Sequence, residues 1–305
     1  MIAKAPDQKT SEDRFLSAGI EAERQMHFYL ERAFGRADDV VVFGDLRLVD
    51  GNRVCQIDHL VMHRYGLAIV ESKSVSGGVE VNEHEEWVRR FGGRVQGMPS
   101  PILQAGRQRD FLIPLLQEHR TKLRNRLLGL RQKGFLHCPV DIFVAISDHG
   151  RIKRRGVDPP ELKKADQIPQ AIQAIIERHR KGSSLLRGSA RSNDGMWELN
   201  AEEMTRVRTF LLVRHQPRSG TSAVPVVQAL AGPLKEMVNT LAQSPPPAAA
   251  ARDGASASPS SKPAPPPSTA LPACAHCAST DLRMVYGGGP RSTSEVWTAR
   301  SGSKR

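Results

Sequence analysis

The stretch Gln56–Lys73, QIDHLVMHRYGLAIVESK, decides how this chain folds. Two apolar runs, Gln56 to His63 and Leu67 to Lys73, flank a turn too short to let them separate, so they are expected to pair as antiparallel strands. Strand alternation puts Asp58, Leu60 and Met62 on one face of the first run, and Leu67, Ile69, Glu71 and Lys73 on one face of the second. If Arg64 and Tyr65 form a two-residue loop, His63 pairs with Gly66 and Asp58 lies opposite Glu71, with their Cβ atoms about 5 Å apart. A loop one residue longer would put Asp58 opposite Ser72 and across the sheet. Two carboxylates and a lysine so placed can hold a divalent cation and a water. They would equally serve as a salt-bridged hairpin face contributing under about 1 kcal/mol.

The chain on either side supplies a frame for this hairpin. Residues 1–10 are polar and expected to be a disordered lead. From Ser11, Phe15, Ala22, Met26, Tyr29, Leu30 and Ala33 fall near helical spacing, and Gly35 is placed to end the helix, which also carries Glu21 and Glu23. Val40–Phe43 and the alternating Asp45–Val49 read as strand, followed by the turn Asp50-Gly51-Asn52. After Gly77-Gly78 come short meandering strands. Ser100-Pro101 opens a helix expected to run to Lys133, with Pro114 as a candidate break. Between positions 105 and 135 eight basic residues face two acidic ones, consistent with either a solvated face or a phosphate-tracking one. Val140–Ile146 reads as a buried strand and Arg151–Arg155 as a basic loop. Helices are expected at Ile168–Lys181 and from Asn200, where Glu203 stands at capping-box spacing. This order of elements predicts an α/β fold, a mixed central sheet flanked by helices, over residues 11–216. Residues 217–270 are expected to be a linker, almost wholly Ser, Pro, Ala and Gly from 244 to 270, where no core can be buried, and a short tail, 271–305, is expected to follow.

The 305 residues carry a formal charge of +12, with a pI near 10.0, which favours a polyanionic partner such as nucleic acid or an acidic lipid surface. No run of apolar residues is long enough to span a bilayer and the N-terminus has no signal-peptide core, so a cytoplasmic protein without a membrane partner is expected. Cys55 and Cys138 sit singly among apolar neighbours and read as buried thiols. His59 and His63 share the strand face opposite Asp58 and read as structural, as does Trp87. There is no nucleophile elbow, no phosphate-binding loop and no dinucleotide fingerprint.

Gln56-Ile-Asp-His-Leu-Val61, Gly66, Ile69-Val-Glu-Ser-Lys73, Gly78, Trp87 and Pro101-Ile-Leu-Gln104 together resemble the NERD family of nuclease-related domains, over roughly residues 15–120. That family looks like part of the PD-(D/E)xK nuclease superfamily, similar to archaeal Holliday-junction resolvases and Mrr-type restriction endonucleases. The resemblance implies a metal-dependent nuclease hydrolysing phosphodiester bonds in DNA, or a catalytically inactive nucleic-acid-binding module of the same fold. It assigns Asp58 and Glu71 to a Mg²⁺ or Mn²⁺ ion, Lys73 to the attacking water, Glu23 to a supporting carboxylate, and Gln104 to positioning. Around Glu23 the match includes Met26 and Leu30, but Ala22 replaces the usual glycine and Glu21 is a near alternative; Ser100 replaces the more typical asparagine before Pro101. Related resolvases act as dimers, so a homodimer is a further expectation. Cys274 and Cys277 resemble the first half of a topoisomerase-type zinc ribbon. A tetrahedral Zn²⁺ needs four ligands, no second cysteine pair follows, and His276 lies within the pair, so such a site would draw on a second chain.

Overall fold

The computed structural model describes residues 1–75, 77–156, 158–183 and 197–218, all within one compact unit, Met1–Ala248. In chain order the elements are β1 (Ile2–Lys4), α1 (Arg14–Phe34), β2 (Val40–Asp50), β3 (Arg53–His63), β4 (Gly66–Lys73), β5 (Gly78–Val81), β6 (Trp87–Phe91), β7 (Arg94–Met98), α2 (Pro101–Glu118), α3 (Arg120–Leu123), β8 (Arg126–Leu127), β9 (Arg131–Gln132), β10 (Val140–Ile146), β11 (Arg151–Arg154), β12 (Leu162–Lys164), α4 (Ile168–Ser183) and α5 (Ala201–Arg214). The expected linker beyond Arg218 and the tail with Cys274 and Cys277 lie outside the described residues.

A six-stranded mixed sheet, ordered β1-β2-β3-β4-β10-β12, forms the centre. β2, β3 and β4 make an antiparallel meander, while β10 runs parallel to both β4 and β12. Because successive side chains point to opposite faces, the sheet buries apolar residues on both. On one face Val42, Val61, Ala68 and Val70 meet Met26, Leu30 and Phe34 of α1 and Ile168 and Ile172 of α4. On the other, Leu60, Met62, Leu67 and Ile69 meet Ala105, Leu112 and Leu116 of α2 and Val207 and Phe210 of α5. A second sheet, β11-β5-β6-β7, packs Val79, Val81 and Trp87 against Val144, Ile146 and Leu162 at the end of the first.

Local chemistry fixes the helix ends. Asp13 caps α1 by accepting from the N–H groups of Phe15 and Leu16 at 2.8 and 3.0 Å. Asn200 and Glu203 form the reciprocal capping box expected at α5. Cys55 is buried and unbridged, and burial pushes its thiol up to about 12.

Three expectations are corrected. Residues 1–10 are not a disordered lead: β1 pairs with β2, and Lys4 Nζ donates to Asp7 and to the carbonyl of Gly44. Gly44 permits this, since a Cβ there would meet Pro6 at 2.7 Å. The helix expected to reach Lys133 passes through Pro114 but ends at Glu118. A short α3 follows, and after it Arg124 is extended, with its guanidinium in a buried ion pair with Glu203. The basic stretch at 151–154 is strand β11, paired to β5, rather than loop.

Candidate active site

The turn at Arg64-Tyr65 has two residues and His63 pairs with Gly66, the first of the two registers that the sequence allows, but the Asp58–Glu71 pair expected in it is not in the ladder. The ladder stops at His59–Val70. There the Asp58 side chain replaces the strand as acceptor: its Oδ2 takes the Ser72 N–H at 2.9 Å. On the other side of β3 the Asp45–Asp58 pair drops out of the β2–β3 ladder, with Asp45 at φ +53°. The register resumes unchanged beyond it, yet Ile57 and Leu60, three apart, face the same core because the kink turns the side chains over. This kink marks Asp45 and Asp58 as the irregular point of the sheet, at a left-handed position that aspartate tolerates better than most residues.

Glu71 and Lys73 project from β4 towards α2. Lys73 Nζ donates to Glu71 Oε1 at 2.6 Å and to Gln104 Oε1 at 3.1 Å. Glu71 is 1% exposed, and its second oxygen accepts from Gln108 Nε2 at 2.8 Å; Gln108 also donates to the Gln56 carbonyl at 2.9 Å. Gln104 and Gln108 are one helical turn apart and face the strand together. Gln108 is thus a site residue that the sequence reading missed, although its four-residue spacing from Gln104 was the available signal.

On the α1 side of the kink, Lys9 Nζ lies 3.3 Å from Glu23 Oε2 and 2.7 Å from Asp45 Oδ2, and Gln56 donates to the other Asp45 oxygen. Glu23 is therefore near the hairpin but held by an internal cation. Neither Lys9 nor Asp45 was expected from sequence, because their contact depends on the N-terminal segment folding across β2.

The electrostatics follow from this crowding. Burial, then the charges of Glu71 and Glu23, push the Asp58 carboxyl well above the usual carboxylate range; the Ser72 N–H and Lys73 oppose this less strongly. Burial also raises Glu23, offset in part by Lys9. Burial lowers Lys9, but its bonds and charge interactions with Asp45 and Glu23 outweigh that and raise it. His59 and His63 are buried and lowered to about 3, mainly by desolvation, so both stay neutral near pH 7. They stack on His27 and His179, respectively, on the α1 and α4 face, away from Glu71.

These donors suit a small divalent ion. Asp58 makes no ion pair among the described residues, and burial, then the charges of Glu71 and Glu23, raise its carboxyl, so a cation bound there would favour its ionised form. Among the described residues no three of His, Cys, Asp and Glu come together as a ready-made metal cage. Asp58 and Glu71 could each supply a carboxylate oxygen to Mg²⁺, the rest of whose shell is commonly water or substrate phosphate.

The comparison with known families bears on this arrangement. Residues 18–144 match NERD, the nuclease-related domain. The NERD segment contains Glu23, Asp58, Glu71, Lys73, Gln104 and Gln108, whereas Lys9 lies before it. No curated protein and no solved structure matches the chain. Among the described residues no helix is long and apolar enough to cross a membrane.

Lys9→Met should leave Glu23 and Asp45 without their shared cation and destabilise the fold by about 1–3 kcal/mol at pH 7.5. A carboxyl whose folded pKa is raised contributes stability below its unfolded value and loses it as pH rises through the folded one. Since Glu23 is such a group, the deficit should shrink as pH falls towards 5. Urea unfolding of wild type and variant at both pH values checks this.

Proposed function

We propose that the NERD segment is a metal-dependent nuclease that hydrolyses phosphodiester bonds in DNA. The observation that carries this reading is the joint placement of Asp58 and Glu71 on adjacent strands, with Lys73 held between Glu71 and Gln104. The same triad of residue types is what the resemblance to PD-(D/E)xK nucleases implies.

Asp58 and Glu71 would hold Mg²⁺ or Mn²⁺. When bound, such an ion would polarise the phosphodiester and lower the pKa of the attacking water. Lys73 has three N–H donors, of which two are directed at Glu71 Oε1 and Gln104 Oε1. The third is available to orient water for in-line attack and to take up negative charge on the phosphoryl oxygens. As the water oxygen bonds to phosphorus, the bond to the leaving sugar oxygen breaks. Gln104 fixes the Lys73 ammonium, and Gln108 fixes the Glu71 carboxylate, so both reacting groups are oriented from α2. Glu23 supports the charge balance from α1, with Lys9 as its counter-ion.

The test is cleavage of a panel of labelled duplex, single-stranded and branched DNA by purified protein with Mg²⁺ or Mn²⁺, alongside EDTA and Asp58→Ala. Metal-dependent products that vanish in both controls are expected. Cleavage that survives either control would refute the mechanism. Salt-sensitive binding without any product would instead leave a non-catalytic nucleic-acid-binding module.

A further inference from the structure

The β8–β9 hairpin, Arg126 to Gln132, is held firmly at its base and projects its tip into solvent. At the base, Gln132 Nε2 donates to the carbonyls of Arg120 and Arg124 at 3.2 and 2.9 Å, and Arg206 donates to the Asn125 side chain at 2.6 Å. At the tip, Leu128 and Gly129 take φ values of +50° and +75°, and the Leu130 N–H closes the turn on the Leu127 carbonyl at 3.0 Å. Asparagine or glycine suits the first of these positions; leucine there costs about 1–2 kcal/mol. Leu128 is 89% exposed and Leu130 87%. A turn serving only to reverse the chain gains nothing from strained, solvated leucines, and such strain concentrates at functional positions.

The surrounding charge identifies a partner. Arg126 and Arg131 flank the tip, both exposed, and no acidic residue occurs between His119 and Asp141. We propose that this hairpin is a nucleic-acid wedge: Leu128 and Leu130 enter between bases and unstack them, while Arg126 and Arg131 grip the adjoining phosphates. Apolar side chains inserted at a base step beside backbone-binding arginines are a general means of kinking a duplex, and the guanidinium fork suits phosphate. Two leucines match one opened step, whereas a lipid surface rewards a broader apolar face. The hairpin follows the end of α2 opposite to Gln104, roughly 20 Å along the helix axis from the candidate site, about six base pairs. This inference rests on the nuclease reading for its choice of DNA as substrate.

The experiment uses the full chain in EDTA, so that cleavage plays no part. Binding to duplex DNA containing 2-aminopurine is followed by anisotropy, and unstacking by the rise in 2-aminopurine fluorescence. Wild type should bind and raise the fluorescence. The Leu128→Asn, Leu130→Ser double variant should lose that rise and about tenfold in affinity, while melting no lower than wild type, because asparagine suits the turn. Arg126→Ala should reduce the salt slope by about one. Wild-type binding without a fluorescence rise, or a double variant that keeps it, overturns the wedge and leaves the nuclease reading standing. Absence of DNA binding, with or without binding to phosphatidylserine vesicles, overturns both.

Discussion

Lys73→Met is expected to slow Mg²⁺-dependent cleavage by about 10³-fold while leaving Mg²⁺ binding intact. The side chain donates to Glu71 Oε1 and Gln104 Oε1 and supplies no ligand atom itself, and Gln108 still holds the second Glu71 oxygen after the change. What is lost is a preorganised positive donor aimed at charge that develops on phosphorus, and removal of one such donor commonly costs about 10²–10³ in rate. Asp58→Asn should behave differently. It removes a cation ligand, so Mg²⁺ binding and cleavage should fall together. It also removes a charge that burial and neighbouring carboxylates oppose, so the metal-free variant should be more stable than wild type by about 1 kcal/mol. Single-turnover cleavage, calorimetric Mg²⁺ titration and urea unfolding on both variants separate the two roles. Equal loss of Mg²⁺ binding in both would contradict the assignment of Lys73.

Glu203→Ala should have the largest effect on stability, a loss of about 3–5 kcal/mol, without any role in chemistry. Glu203 is 0% exposed and accepts from Arg124 Nε at 3.2 Å, from the Asn125 N–H at 2.8 Å and from its own cap partner Asn200 at 3.0 Å. Arg124 in turn lies over the rings of Trp197 and Phe135, at 4.7 and 5.5 Å from their centroids. Removing the carboxylate strands a buried guanidinium and a backbone donor. Burial works to raise the Glu203 pKa, but the Asn125 and Asn200 N–H groups and the Arg124 charge outweigh it and hold the group below the usual carboxylate range. A depressed carboxylate contributes stability above its unfolded pKa and loses it as pH falls through the folded one. The gap between wild type and variant should therefore be widest near pH 7 and close below about pH 4. Glu203→Gln, which keeps an acceptor, should lose less. Urea unfolding across this pH range measures all three proteins.

Much of the fold could be read locally. The two-residue Arg64-Tyr65 loop was one of two registers the sequence allowed, alternation put Glu71 and Lys73 on one face, and the Asn200–Glu203 spacing announced α5. Gln104 was recognisable from its motif. What escaped depended on contacts between distant segments. The strand β1 exists because Gly44 admits Pro6, and Lys9 reaches Asp45 only once that packing is made. The kink at Asp45 and Asp58 breaks an alternation that sequence presents as continuous. The chain turns extended at Arg124, after α3, and Arg124 pairs with Glu203, 79 residues away. Helical propensity between Arg120 and Lys133 could not reveal it, since tertiary pairing overrides so small a preference.

The placement of a divalent ion between Asp58 and Glu71 can be tested by loading the protein with Fe²⁺ and ascorbate, so that hydroxyl radicals cut the polypeptide beside the bound metal. Cuts should fall at β3 near Asp58 and at β4 near Glu71, diminish as Mg²⁺ is added, and disappear in Asp58→Asn. Cuts confined to other segments, or cuts at these strands that persist in Asp58→Asn, would contradict it.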